Sequence, residues 1–245
     1  MRGKPEPSFA DLDRRPFVAG CQAAVPIAIG YLPIGITFGL LAKAVSIPNH
    51  ITLMMSMLVL AGASQFVGIN LIILGTSIWE IVLTTFVVNL RHLLMSASLA
   101  PRVDTRLRKT HRAILAFGIT DETFSVASFR PEASLGFSYL LGLNMTSFIA
   151  WNLGTWMGLF LATGMPDALK TSMGIALYAM FIGLLVPACR NSRPILSIAL
   201  TAIVLQALWH FSPIFSGMSM GTQIVLTTII ASFLGAVMME REEGL

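Results

Sequence analysis

The sequence predicts an all-α, polytopic integral membrane protein, a helical bundle whose outer surface only a lipid bilayer can solvate. Three observations predict it. Of 245 residues, 55% are hydrophobic and 11% charged, whereas a soluble domain carries about 25% charged residues. The mean hydropathy is +0.78. The charges are also excluded from long windows: no Asp, Glu, Lys or Arg lies in Pro16–Ala42, Ala44–Trp79, Ala133–Pro166, Thr171–Cys189 or Pro194–Met239. A membrane helix needs roughly 20 apolar residues to cross about 30 Å of hydrocarbon. Each window holds about one span by that measure, and the last has room for two.

The elements follow in order. Residues 1–16 mix acids and bases (Arg2, Lys4, Glu6, Asp11, Asp13, Arg14, Arg15) and read as a cytosolic tail. A secretory signal fits poorly, because the apolar run that follows is too long and lacks a cleavage site. That first run, Phe17–Ala42, contains Gly20, Pro26, Gly30, Pro33, Gly35 and Gly39. Proline removes a backbone donor, so a broken helix is expected near Gly30–Gly35. The second run, Ile51–Leu74, is interrupted near Ala61-Gly62-Ala63-Ser64-Gln65, and the third, Ile78–Ala100, carries Asn89, Arg91 and His92. A basic stretch, Arg102–Arg112, precedes a short apolar piece, Ala113–Phe129, that holds Asp121 and Glu122. Spans are expected at Leu135–Ala162, Thr171–Ala188, Ile195–Phe211 and Thr222–Met239. Residues 17–239 form one transmembrane transport domain on this reading, and 240–245 a second tail.

The positive-inside rule puts the N-terminus, Arg102–Arg112 and Arg190–Arg193 on the cytosolic side. Simple crossings do not satisfy it, because three of them separate each pair of basic segments. A broken or re-entrant element in each half, giving about seven or eight membrane segments, restores the rule. Such elements in corresponding positions point to an inverted repeat of the transporter kind, although no residue-level repeat is visible.

The chemistry is confined to few residues. Among the apolar segments the ionisable groups are Glu80, Arg91, Asp121 and Glu122, with His92 and His210 beside them. Holding such a charge in the membrane costs at least about 2.5–3.5 kcal/mol on insertion scales. Glu80 reads as a helix-end charge. Arg91 is either an ion-pair partner that fixes helix packing or a cation beside the permeation path, balanced by Asp121 or Glu122. His92 is either a packing residue or a titrating neighbour. Thr120 or Asp121 suits the N-cap of a short helix, and a carboxylate there suits proton exchange or an ammonium ligand. Gln65 and Asn89 serve equally as interhelical glue or cavity lining.

Several patterns carry little. Gly217-Met218-Ser219-Met220-Gly221 matches a nucleophile elbow, but no strand precedes it. Asn144-Met145-Thr146 matches a glycosylation sequon inside an apolar span. Gly35–Gly39 and Gly154–Gly158 fit the small-xxx-small pattern of close helix packing. Cys21 and Cys189 make neither a disulfide framework nor a metal site. No cofactor, metal or nucleic acid partner is indicated, and the chain does not read as an enzyme.

At Pro26 to Gly39, Ala61-Gly62-Ala63-Ser64-Gln65, Asn89-Leu90-Arg91-His92 and Thr120-Asp121-Glu122, the sequence resembles the AzlC family, the large subunit of bacterial branched-chain amino acid exporters. The resemblance spans nearly the whole chain in hydropathy, with its specific motifs in the first half. It implies proton-driven export of leucine, isoleucine and valine, with methionine as a further candidate, across the bacterial inner membrane. It also implies a small AzlD-like membrane subunit as partner. A broken helix offers amides for a substrate carboxylate and carbonyls for its ammonium. The candidate substrate or pathway residues are therefore Gly30, Tyr31, Pro33, Gly35, Gly62, Ser64, Gln65 and Asn89. The candidate charge network is Arg91, His92, Asp121 and Glu122, with Asp121 or Glu122 coupling to protons. Met54, Met55, Met57 and Met95 are candidates to line an apolar pocket or to face lipid. A passive channel, or a structural subunit that needs another chain, is the alternative.

Overall fold

A computed structural model describes residues 14–104, 106–132, 134–160, 192–212 and 217–243, with isolated positions between 166 and 190 and at 215. The described secondary structure is helical: α1 (Arg14–Ala23), α2 (Val25–Ala44), α3 (Asn49–Leu58), α4 (Gly62–Ile73), α5 (Ile78–Leu99), α6 (Lys109–Phe117), α7 (Asp121–Ser128), α8 (Phe137–Phe160), α9 (Arg193–Phe211) and α10 (Met220–Glu243). One isolated bridge, Val103 with Leu135, is the extended pairing among these residues. Among the described residues, four segments are long and apolar enough to cross a membrane: Val25–Ala44, Ile78–Arg102, Arg193–Phe211 and Met220–Met238. The expected span at Thr171–Ala188 falls almost wholly outside the described residues.

The chain forms two compact units, one from Met1–Gly62 with Leu90–Ala176 and one from Ala63–Asn89 with Leu177–Leu245. In the first, α8 is the central helix. Fourteen of its 24 residues are buried, and α1, α2 and α3 pack on it. Lipid supplies no hydrophobic drive between helices, so close van der Waals contact must hold them. Small residues provide it. A side chain at Gly35 would run into the Trp151 carbonyl at 2.7 Å, and one at Gly154 into that of Leu32 at 2.6 Å. Gly39 and Gly158 meet the backbone of the opposite helix in the same way, as do Gly20 and Gly142 between α1 and α8. The two small-xxx-small patterns of the sequence are therefore each other's partners. The Ser56 and Thr155 hydroxyls bond at 2.8 Å between α3 and α8. Lys43 donates to the Leu159 carbonyl at 2.7 Å, a cation where the C-terminal end of a helix favours one.

The break expected near Gly30–Gly35 is not there, so Gly30, Tyr31, Pro33 and Gly35 sit within an unbroken helix. The free main-chain groups anticipated at that point are not available to a substrate. One proline removes a single donor while its fixed φ suits the helix, and the Thr37 hydroxyl bonds back to the Pro33 carbonyl at 3.0 Å. The interruption falls instead at Ala24. Pro26 lies in the first turn of α2, where a donor is not required. The second expected interruption is present: α3 ends at Leu58 and α4 begins at Gly62. The short piece Ala113–Phe129 is also broken, into α6 and α7.

The basic loop is partly structural. The Arg102 guanidinium donates to the carbonyls of Ser128 (2.8 Å), Arg130 (2.7 Å) and Glu132 (2.7 Å), and so caps the C-terminal end of α7. In the same loop, hydrogen bonds from Arg106 hold the Asp104 carboxyl down at about 2.

In the second unit, α9 and α10 pair through polar groups. Gln206 donates to Gln223 at 3.2 Å and the Trp209 indole to Thr227 at 2.9 Å. Glu80, in the first turn of α5, accepts a hydrogen bond from Ser219 beside the N-terminus of α10, where an acid is favoured. This fits the helix-end reading of Glu80. Met54 and Met57 are exposed, which fits lipid-facing residues.

Candidate functional site

The site is built on the kink between α6 and α7. Gly118 ends α6, and the position needs a glycine: a Cβ would lie 2.5 Å from the Asn144 amide nitrogen. That amide donates to the Leu115 carbonyl at 2.9 Å, tying the end of α6 to α8. Thr120 then leaves the helical region and caps α7 reciprocally with Thr123. The Thr120 N–H donates to Thr123 Oγ1 at 2.8 Å, the Thr123 N–H to Thr120 Oγ1 at 3.3 Å, and the Thr123 hydroxyl to the Gly118 carbonyl at 3.0 Å. This cap starts α7 at Asp121 and Glu122, two acids in the turn that the helix dipole favours.

Each acid meets a different helix. Asp121 Oδ2 lies 2.5 Å from Arg91 Nη1 of α5, and both side chains are about 30% exposed. Glu122 Oε2 accepts from the Tyr31 hydroxyl of α2 at 2.5 Å, and the same hydroxyl is 2.7 Å from Thr120 Oγ1. His92 Nδ1 is 2.8 Å from the Ile119 carbonyl, so that nitrogen carries a proton. Arg91 Nε and His92 Nε2 are buried without a hydrogen-bond partner among the described residues. Tyr31 is 5% exposed and meets Trp151 edge-on, with ring centroids 5.4 Å apart. Trp151 in turn packs on Phe38 and against Gly62, whose Cβ position lies 2.7 Å from the indole ring. The Trp151 indole N–H is buried and unpartnered among the described residues.

The structure thus brings together Tyr31, Arg91, His92, Asp121 and Glu122. Gly62 sits against Trp151, one ring away from Tyr31. Gly35 serves the α2–α8 contact, Gly30 has no atom within 4 Å of its Cβ position, and Pro33 stays inside α2. Ser64, Gln65 and Asn89 belong to the second unit. Both polar atoms of Gln65 and the Asn89 Oδ1 are buried with no partner among the described residues. Sequence reasoning missed Trp151 and Asn144. A tryptophan in mid-span, away from the interfacial belts where it is usual, was a usable signal. Asn144 is masked in the sequence by the sequon it forms, which draws attention to glycosylation and away from packing.

The model of the AzlC protein family matches residues 26–165, more than half of the chain and every residue of the cluster. The chain belongs to the AzlC family. Among AzlC-like relatives, the inner membrane protein YgaZ of Escherichia coli is 32% identical over 198 residues, 78% of this chain and 80% of the relative. An uncharacterised membrane protein of Archaeoglobus fulgidus is 32% identical over 173 residues, 70% and 75% of the two chains. The branched-chain amino acid transport protein AzlC of Bacillus subtilis is 28% identical over 102 residues, 42% of this chain and 39% of that protein. No solved structure matches the chain. This AzlC-family member is a helical membrane protein, and the family match ends before α9 and α10. The cluster therefore lies in the part shared with the family.

Proposed function

We propose that the chain exports branched-chain amino acids such as leucine, isoleucine and valine across the bacterial inner membrane. On this reading it is a proton-coupled secondary transporter, not an enzyme, and the large subunit of a two-component exporter. The small AzlD-like subunit completes it. Residues 17–239 act as one transport domain with a cytosolic N-terminus, about seven or eight membrane segments and an inverted repeat.

One observation carries the proposal. An ion pair, Arg91 with Asp121, and a second carboxylate, Glu122, meet at a helix break in a chain whose surface is apolar. Charges in such a setting are costly and mark transport paths or proton relays. Asp121 or Glu122 exchanges the proton, with Arg91 as the neighbouring cation. The name of the Bacillus subtilis relative, a branched-chain amino acid transport protein, supports the substrate class. An aliphatic zwitterion also suits a site that offers charges of both signs beside Tyr31 and Trp151.

Leucine counterflow in vesicles tests the reading. Vesicles holding this chain with its neighbour-encoded small membrane protein should exchange leucine, isoleucine and valine in preference to charged amino acids. Exchange by the chain alone fits a self-sufficient transporter, and exchange that needs both chains fits the two-component form. Flux that neither saturates nor discriminates fits a passive pore, and its total absence removes the transport reading.

A further inference from the structure

We propose that Glu122, and not Asp121, is the carboxylate that takes up and releases the transported proton, and that the Tyr31 hydroxyl is its positioning partner. The proposal rests on the exporter reading and divides labour within its site. The two acids are neighbours in sequence but not in surroundings. Asp121 is committed to Arg91 at 2.5 Å, and Arg91 Nε has no other partner among the described residues. Protonating Asp121 would leave Arg91 without its counter-ion within an apolar segment, where an unbalanced charge is costly. Glu122 has no cationic partner among the described residues, and its contact is a hydroxyl.

A hydroxyl serves both protonation states. With Glu122 ionised, Tyr31 donates its O–H to Glu122 Oε2. With Glu122 protonated, the new Glu122 O–H donates to the Tyr31 oxygen. Tyr31 then turns its own proton to Thr120 Oγ1, 2.7 Å away. One proton is gained, one O–H bond forms on Glu122, and no heavy atom has to move. Neither state leaves a buried polar group unpaired, which is the usual penalty of titrating inside a protein. The surrounding groups agree with this division. From α2 comes Tyr31. Around the first turn of α7 stand Asp121, Thr120 and Thr123. From α5 come Arg91, held by Asp121, and His92, held by the Ile119 carbonyl. Helix α8 contains no Asp, Glu, Lys, Arg or His and adds Trp151, which packs on Tyr31.

The test compares the full chain, reconstituted with its small partner, as wild type, E122Q, E122D, D121N and Y31F. Leucine flux is followed with and without an imposed pH gradient. Wild type should accumulate leucine on the gradient. E122Q should lose that response, leaving residual flux that is flat with pH, and E122D should restore it. D121N should lose flux at every pH, as expected if the ion pair holds the site together. Y31F should stay coupled but show its pH profile displaced toward the alkaline side. Gradient-driven accumulation by E122Q at the wild-type level overturns the proposal, as does a Y31F profile that coincides with wild type. A gradient response lost in D121N with its pH-flat flux intact would move the role to Asp121. A wild type that moves no leucine overturns the exporter reading itself.

Discussion

At Thr120 the backbone is extended, with φ −123° and ψ 174°, and that local geometry decides where two carboxylates go. The threonine ends the kink after α6 and caps α7, and its Oγ1 also lies beside the Tyr31 hydroxyl. Removing the oxygen should therefore act twice. Loss of a helix cap costs about 1 kcal/mol, and Tyr31 loses the acceptor it needs when Glu122 is protonated. Thr120→Ala should lower the thermal midpoint in detergent and weaken the leucine response to a pH gradient, whereas Thr120→Ser should restore both. An unchanged midpoint in Thr120→Ala would mean that the cap does not order α7. The residue scale was partly legible in the sequence. Charges excluded from lipid stand out when they occur there, so Arg91, Asp121 and Glu122 could be named as one network. The choice between Asp121 and Glu122 could not be made, because it depends on which helix each acid meets.

At the scale of elements, glycine sets the distance between α2 and α8. Gly35 and Gly39 face Gly154 and Gly158 with backbone against backbone. Overpacking a well-filled contact typically costs about 1–3 kcal/mol. Gly35→Leu and Gly158→Leu should each lower the melting midpoint clearly, while Gly30→Ala, on the same helix but facing open space, should leave it unchanged or slightly raised. Equal midpoints for all three would show that α2 and α8 do not pack as described. The sequence displayed both glycine pairs, but a small-residue spacing carries no address, so their mutual contact was not readable. Pro33 misled for a related reason. Proline removes one hydrogen bond, and whether a helix then breaks depends on its packing, which α8 supplies.

At the scale of the molecule, long windows free of charge are the strongest signal in the sequence, and they specify helices solvated by acyl chains. The fold class was legible for that reason: in lipid every backbone group must be satisfied internally, which leaves few architectures. The number of segments was not legible. Breaks at Ala24, between α3 and α4, and between α6 and α7 depend on tertiary contacts such as Asn144 with Leu115. The family match covers α2 to α8, which is also where Arg91 of α5 pairs with Asp121 of α7 and Glu122 of α7 meets Tyr31 of α2. On the proposed function this cluster is the proton-coupled transport site. The most direct measurement is net movement of labelled leucine into vesicles holding the chain and its small partner when the vesicle interior is made acidic relative to the outside. Leucine should accumulate above its external concentration, and the accumulation should collapse when a protonophore dissipates the gradient. Leucine that only equilibrates, at a rate indifferent to the gradient, would contradict that reading.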